Sequence, residues 1–220
     1  KSFTYSYNIN IFINIRFYLI KSFNYYTHMF TYKNEYYLFI ENTSQLNPTQ
    51  IKIRNKFNII YRNNNNNREN LTNLKKFRNL CTKSGVKFFI ANKAIDMIKI
   101  NADGLYISAY NKNLNLAKFK NSKYQLIGAA HNIKEINLKI RQGCKKLIFS
   151  RLFKTSYKNK QTFYGVIKFN NICRLTNLSL IPLGGIDLKK LNSLNNLASN
   201  SLAVLSAIKK KPASFISRLF

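Results

Sequence analysis

The sequence predicts a single α/β domain folded as a (β/α)8 TIM barrel. Eight short, nearly all-apolar runs alternate with segments of helical length, a pattern typical of parallel strands that are covered on both faces. Eight strands are also the number that closes such a barrel. The predicted strands are Tyr36–Ile40, Phe57–Tyr61, Lys87–Ala91, Gly104–Ile107, Gln125–Gly128, Lys146–Phe149, Leu180–Leu183 and Leu202–Val204. A chain of 220 residues, 45% of them hydrophobic, is long enough to bury one core of this size.

The connections between these runs differ in length. The first is short, and we expect only a turn or two of helix after Pro48. Glu69–Ser84 and Asn132–Gln142 carry apolar residues at helical spacing, which predicts two longer helices. In the second helix the spaced residues are Ile133, Ile136 and Ile140. Asn132 and Asp187 stand where helix caps are expected.

The N-terminal segment is predicted to lie outside the barrel. Its most apolar part, Ile9–Ile20, is interrupted by polar residues, and it is too short and too polar to span a bilayer. The segment also lacks the small-residue cleavage site of a secretory signal. Met29 lies just ahead of the first clear strand. We therefore interpret residues 1–28 as a leader or a disordered or artefactual extension, and residues 29–220 as the barrel.

The charge of the chain is strongly positive and evenly spread. Lys and Arg number 37 against 7 Asp and Glu, a formal net charge of +30, which first suggests nucleic acid or an anionic membrane as a partner. The basic residues are scattered, however, and Lys209–Lys211 is their longest run. Residues with A/T-rich codons dominate, which indicates drift in genomic composition. We expect no membrane and no specific nucleic-acid partner, only nonspecific affinity for polyanions.

The cysteines indicate a reducing compartment. The chain has three, an odd number, and they lie far apart at positions 81, 144 and 173. They fit neither a disulfide framework nor a metal-binding spacing. We therefore expect buried thiols and a cytoplasmic location.

A Gly-Gly pair near the C-terminus is a candidate phosphate site. Gly184 and Gly185 end one apolar run, and Ser206 ends the next. Glycines allow backbone N–H groups to approach an anion closely, and the last two strands of a barrel commonly form such a cradle. An ordinary Gly-Gly turn between a strand and a helix explains the pair equally well.

Five short motifs beside predicted strand ends resemble those of the thiamine-phosphate synthase/TenI family, in the same order and at matching spacing. They are Ala102–Ile107, Ile127–Asn132, Phe153–Lys158, Pro182–Ile186 and Ala203–Ile208. The resemblance covers about residues 36–210. It implies small phosphorylated substrates: a hydroxymethylpyrimidine pyrophosphate and a thiazole phosphate, which the family joins into thiamine phosphate with release of pyrophosphate.

The chemistry implied by the resemblance needs no protein nucleophile. Loss of pyrophosphate leaves a stabilised carbocation, which the thiazole nitrogen captures. Positive charge must surround the departing pyrophosphate, usually with Mg²⁺ held by carboxylates. The sequence has no competing catalytic pattern, since His28 and His131 are its only histidines and no nucleophile elbow or Walker loop occurs.

The resemblance also implies site residues. For thiazole phosphate they are the backbone groups of Gly184, Gly185, Leu205 and Ser206. For the pyrimidine substrate they are the side chains of Arg62, Asn92, Thr155 and Lys158. Lys158 would bind phosphate as a point charge, although a solvated lysine in a lysine-rich loop is the alternative.

The chain departs from the family where the family binds metal. Its two metal-binding aspartates fall at Lys93 and Asn111. A charged lysine cannot bind Mg²⁺, and asparagine offers only a neutral carbonyl. Asp103 lies near, but we expect it to serve the turn before the fourth strand. Mg²⁺ binding is therefore expected to be weakened, with Lys93 taking over part of its electrostatic role and no other cofactor.

His131 has two interpretations. In the thiazole tautomerase branch of the family, a histidine after the fifth strand transfers protons, a task suited to an imidazole. Alternatively, His131 caps or packs the start of the following helix. Three functions thus remain: a synthase, a relative that tautomerises or only binds thiazole phosphate, and a basic nucleic-acid-binding protein. Whether the barrel forms a homo-oligomer is also left open.

Overall fold

A computed structural model describes residues 33–51, 53–63, 69–155, 162–186 and 191–205. Eight parallel strands close into a barrel in sequence order, and the last pairs with the first. The strands are β1 (Glu35–Ile40), β2 (Phe57–Tyr61), β3 (Lys87–Ala91), β4 (Gly104–Ile107), β5 (Gln125–Ala130), β6 (Lys146–Ser150), β7 (Ser179–Leu183) and β8 (Ser201–Val204). The predicted fold class is confirmed, and each predicted strand lies within an observed one.

Helices and short turns connect the strands on the outside of the barrel. The helices are α1 (Leu71–Lys83), α2 (Ala94–Lys99), α3 (Ile133–Arg141), α4 (Gly165–Arg174) and α5 (Leu191–Asn195). The connections after β1 and β4 are 3-10 turns: Thr43–Gln45, Pro48–Gln50 and Leu114–Phe119. The short first connection is therefore confirmed. Within the described residues, no helix has the length and apolar character needed to cross a membrane.

Side chains alternate between the barrel interior and the helix-facing layer. The interior positions include Tyr37 and Phe39 of β1, Phe89 of β3 and Tyr106 of β4, all buried. The rings of Phe39 and Tyr106 meet edge to face, with centroids 5.3 Å apart. Intervening strand residues pack against the helices in a second apolar cluster. This two-sided burial explains why the strands are nearly continuous apolar runs.

Helix α3 begins as predicted but buries a different face. The Asn132 side chain accepts a hydrogen bond from the Glu135 N–H at 2.9 Å, so the predicted cap is confirmed. Of the three spaced isoleucines only Ile136 is buried, whereas Ile133 and Ile140 are exposed. Lys139 occupies the buried face instead. The other predicted cap, Asp187, lies outside the described residues.

The cysteines that were expected to be buried are free thiols, and burial raises their pKa values. The pKa rises to about 12 for Cys81 and Cys144, which are buried, and to about 11 for the partly buried Cys173. Thiols with raised pKa values are poor nucleophiles and poor metal ligands at neutral pH.

A polar cluster closes the bottom of the barrel, where the strands begin. Lys146 forms an ion pair with Glu35 at 2.6 Å, and the Tyr37 hydroxyl donates to the same carboxylate oxygen at 2.9 Å. Burial alone would raise the pKa of Glu35. Hydrogen bonds from Lys146 and Tyr37, with the charges of Lys146 and Lys87, outweigh burial and lower it.

We expect Glu35→Gln to destabilise the fold by about 1–2 kcal/mol at pH 7, because it removes charge-assisted hydrogen bonds. A carboxyl group whose folded pKa is lowered stabilises the protein above its unfolded pKa, and this contribution is lost as the pH falls through the folded value. The difference between wild type and variant should therefore shrink below about pH 4. Urea unfolding at several pH values measures it, and a pH-independent difference would contradict the assignment.

Candidate active site at the barrel mouth

The ends of the strands bring most of the predicted site residues to one face of the barrel. Carboxyl ends of parallel barrel strands converge, so residues that follow them share this face, here called the barrel mouth. The residues placed there are Arg62, Asn92, Lys93, His131, Thr155, Gly184, Gly185 and Leu205. Lys158 and Ser206 lie outside the described residues.

Asn92 links the ends of β3 and β4. Its Oδ1 accepts hydrogen bonds from the N–H and hydroxyl of Ser108, both at 2.9 Å, and from Asn111 Nδ2 at 3.2 Å. Because three donors converge on this oxygen, the orientation of the carboxamide is determined. Its Nδ2 therefore faces the other way, towards the hydroxyl of Tyr110 at 3.0 Å. The Tyr110 side chain is exposed, so the donor end of Asn92 lies on the open side of the network.

Lys139 and Gln142 lie beneath residues 108–113, the β4 loop. The Lys139 ammonium donates to the carbonyls of Ser108 and Asn111, each at 2.7 Å, and to Gln142 Oε1 at 2.9 Å. Gln142 Nε2 donates to the carbonyls of Asn111 and Asn113, each at 3.0 Å. Neither side chain is exposed to solvent. Burial lowers the pKa of Lys139 to about 8, against the opposing effects of Cys144 and Glu135.

Asn111, which the resemblance places at a metal position of the family, and the nearby Asp103 are both engaged in hydrogen bonds within the protein. The Asn111 Oδ1 accepts the N–H of Asn113 at 3.0 Å, and its Nδ2 is directed at Asn92. Asp103 accepts the Phe88 N–H at 2.8 Å and pairs with Arg78 at 3.2 Å. The expected structural role of Asp103 is thus confirmed. Across the described ranges, no three His, Cys, Asp or Glu residues group as metal ligands.

Arg62 carries a buried donor into the barrel mouth. Its backbone N–H extends the sheet by donating to the Ile40 carbonyl at 2.8 Å. The Nε atom is buried and has no hydrogen-bond acceptor in the part of the chain that the structure describes. Burial raises the pKa of the Tyr106 hydroxyl to about 12, and the charge of Arg62 and a hydrogen bond from it oppose that rise. A buried donor without an acceptor is costly, so this atom is suited to an anionic ligand.

The β6 end packs on the Gly-Gly pair. The N–H groups of Leu152 and Phe153 donate to the carbonyls of Leu183 and Gly184, at 2.9 and 3.0 Å. Gly184 and Gly185 both have positive φ, +105° and +64°. A Cβ at Gly185 would lie 2.7 Å from the Phe153 carbonyl oxygen. Glycine is therefore required here by the contact between the two strand ends, a reason that the sequence did not reveal.

Arg151 adds a cation that sequence reasoning did not select. Its side-chain stem passes over Gly184, where a Cβ would lie 3.1 Å from its Cγ. Its Nη1 lies 3.4 Å from the hydroxyl of Thr155. The only sequence signal was its place two residues after the predicted strand Lys146–Phe149. Arg151 thus brings positive charge beside a predicted substrate-binding residue.

The backbone of His131 belongs to the start of helix α3, and its ring faces β6. Its N–H donates to the Glu135 carboxylate at 2.7 Å, which completes the cap of α3. Its ring extends towards β6, where Nδ1 lies 2.8 Å from the Ser150 hydroxyl. The Tyr164 hydroxyl donates to its carbonyl at 2.6 Å. The hydrogen bond from the backbone N–H to Glu135 confirms the helix-capping interpretation. The imidazole ring contacts the Ser150 hydroxyl.

Comparison with known proteins agrees with this architecture. The sequence pattern of the family described as "Thiamine monophosphate synthase" matches residues 29–208. The chain belongs to this family. The thiamine-phosphate synthase of Pelagibacter ubique is 31% identical over 153 residues, which cover 66% of this chain and 72% of that protein. The resemblance inferred from the five motifs is confirmed.

Other relatives match over part of their length. A thiamine-phosphate synthase of Prochlorococcus marinus is 25% identical over 61% of this chain and 39% of that protein. One from Clostridium perfringens is 28% identical over 61% of this chain and 65% of that protein. The chain thus spans about two fifths to two thirds of these two relatives.

Solved structures of similar fold include other barrels. The thiamine phosphate pyrophosphorylase of Pyrococcus furiosus superposes with a TM-score of 0.68 at 15% identity, covering 86% of this chain and 94% of that one. The YdjI aldolase of Escherichia coli K12 gives 0.61 at 10% identity, covering 90% of each chain. At these identities the likeness shows the fold alone.

Proposed function

We propose that this protein is a thiamine-phosphate synthase. It would join hydroxymethylpyrimidine pyrophosphate to thiazole phosphate, giving thiamine phosphate and pyrophosphate. The observation that carries the proposal is the Nε of Arg62 at the barrel mouth, which is buried and has no acceptor among the described residues, as suits a site for an anion. Family membership and relatives named as synthases support the same assignment.

The proposed reaction needs charge stabilisation more than proton transfer. The bond between the pyrimidine methylene carbon and the pyrophosphate oxygen breaks, and its electron pair leaves with pyrophosphate. The lone pair of the thiazole nitrogen then forms the new C–N bond, so atoms and charges balance without a base. Fixed positive groups stabilise the negative charge that develops on the leaving group.

The chain supplies these positive groups as side chains. Arg62, Lys93 and Arg151 follow β2, β3 and β6 at the barrel mouth. Arginine suits this role because its planar guanidinium binds phosphate through two hydrogen bonds. Asn92 presents an N–H₂ group of determined orientation beside them, which suits the acceptor atoms of a pyrimidine ring. No described contact favours tautomerisation, since the His131 ring is paired with a hydroxyl.

The direct test incubates the purified full-length protein with both precursors. Thiamine phosphate is detected after oxidation to its fluorescent derivative, and pyrophosphate release is followed in parallel. We expect both products in equal amounts, and neither when one precursor is omitted. Thiazole phosphate binding without any product would reject the synthase and favour a relative that only binds this ligand.

Arg62→Gln should weaken binding of the pyrimidine pyrophosphate by about 10- to 100-fold, the usual cost of a lost hydrogen bond to a charged group. Titration calorimetry of the full chain measures the change. Arg54→Gln is the matched control, because Arg54 is exposed and precedes β2 at the opposite end of the barrel. Equal losses in both variants would point to general charge attraction and remove Arg62 from the site.

A further inference from the structure

We propose that Lys139 is a positioning residue of the active site, whose buried ammonium holds the β4 loop in the shape that orients Asn92. This inference rests on the proposed function only in taking Asn92 as part of the substrate site. Lys139 itself does not reach the barrel mouth, since its side chain is fully buried beneath the loop. It acts through the residues that it holds.

Each N–H donor of the Lys139 ammonium group has a hydrogen-bond acceptor. Its three N–H donors have three acceptors at 2.7–2.9 Å: two loop carbonyls and the carboxamide oxygen of Gln142. None of the three acceptors is a carboxylate. Burying a lysine without a counter-ion is costly, and an apolar side chain would fill the same volume at lower cost. What the ammonium contributes is a second, charge-assisted hydrogen bond to each carbonyl. The Ser108 carbonyl also accepts the Asn111 N–H at 3.1 Å, and the Asn111 carbonyl also accepts Gln142 Nε2 at 3.0 Å.

The same two loop residues connect Lys139 to Asn92. The Ser108 carbonyl accepts from Lys139, while the Ser108 N–H and hydroxyl donate to Asn92 Oδ1. The Asn111 carbonyl also accepts from Lys139, while its side chain donates to Asn92. Ser108 and Asn111 therefore each accept a hydrogen bond from Lys139 through the carbonyl and donate to Asn92 through other groups. If the carbonyls are released, the donors that determine the orientation of Asn92 are released with them.

The neighbouring strand leaves space for this arrangement. Gly128 of β5 lies against the Lys139 stem, and a Cβ at this position would approach the lysine Cγ to 2.9 Å. The same Cβ would also approach Leu147 Cδ2 to 2.5 Å, so glycine at this position leaves room for both the lysine stem and Leu147.

Lys139→Met tests the proposal, because methionine has a similar length and no donor. In the ligand-free full chain we expect amide hydrogen exchange at Ser108, Asn111 and Asn113 to accelerate at least about tenfold, with the strands unchanged. Binding of hydroxymethylpyrimidine pyrophosphate should weaken by roughly tenfold, as expected when the competent loop population falls to a tenth. Lys134→Met, at an exposed position of the same helix, should change neither quantity.

Two further variants keep the test decisive. Gln142→Met removes two hydrogen bonds to the loop and should reproduce the local change if Lys139→Met does not fold. In an Asn92→Ala background, Lys139→Met should cause no further loss of binding. Unchanged exchange in the loop, or fully additive binding losses, would overturn the proposal. The exchange experiment needs no substrate, so it tests the role of Lys139 in the β4 loop even if the protein makes no thiamine phosphate.

Discussion

Replacing Gly185 with valine should abolish binding of thiazole phosphate. Gly185 has a φ of +64°, where a β-branched residue is strained, and its Cβ would collide with the β6 end at Phe153 and Lys154. The collision would displace the segment after β6 that carries Thr155. The valine side chain would also block the approach of an anion to the backbone N–H groups. We expect a loss of at least about 100-fold, or more than about 2.7 kcal/mol.

The controls for Gly185→Val separate the site from the fold. Ser206→Ala should bind thiazole phosphate nearly as well as wild type, because the backbone N–H that the family resemblance implies remains. Thermal unfolding of each variant identifies a global loss of structure, and calorimetry with thiazole phosphate measures the affinity. Equal affinity for wild type and a folded Gly185→Val would reject the cradle assignment.

The sequence predicted the barrel well because the strands are buried on both sides. All residues of β2 and the central residues of β6 are buried, so these strands have no exposed face that could resemble one side of an amphipathic helix. Local rules also located the Asn132 cap and the structural role of Asp103. The cap depends on residues close in sequence, and the strands depend on the burial that a barrel imposes on each of them. The role of Asp103 was predicted from its place just before β4, although its partners Phe88 and Arg78 are distant in sequence.

The same reasoning missed Lys139 because two of its three hydrogen-bond acceptors are backbone carbonyls. Carbonyls have no sequence signal, and one lysine among 37 basic residues is indistinguishable from a solvated one. The spacing of Ile133, Ile136 and Ile140 pointed to an apolar helix face, yet two of these side chains are exposed. The position of Lys139, three residues after Ile136 on the predicted helix, was the only hint in the sequence.

The candidate site was predictable only in outline. The resemblance placed Arg62 and Asn92 at strand ends, and the barrel brings those ends together. It contained no information on the Nε of Arg62, which lacks an acceptor among the described residues, on the orientation of the Asn92 carboxamide, or on the packing of Arg151 over Gly184. These features depend on contacts between strand ends that are distant in sequence. Such contacts arise from packing, which a single sequence does not reveal.

Synthase turnover should be slow and should depend only shallowly on Mg²⁺. The sequence resemblance places Lys93 and Asn111 where the family has carboxylates, and the Asn111 amide is engaged with Asn92 and Asn113. Loss of two hard oxygen ligands weakens Mg²⁺ binding, although a metal that arrives bound to pyrophosphate retains some effect. Initial rates measured across a Mg²⁺ titration, with a chelator at the lowest point, test this expectation.

Lys93→Ala should lower the remaining turnover by about tenfold or more, because it removes a cation from the face where pyrophosphate charge develops. The matched control is Lys99→Ala, an exposed lysine in the last turn of the same helix, which should leave the rate unchanged. Brisk and strictly Mg²⁺-dependent turnover would show that the correspondence of Lys93 and Asn111 with the metal positions is wrong. If no coupling occurs at any Mg²⁺ concentration while thiazole phosphate still binds, the protein is a relative that has kept the phosphate site without the reaction.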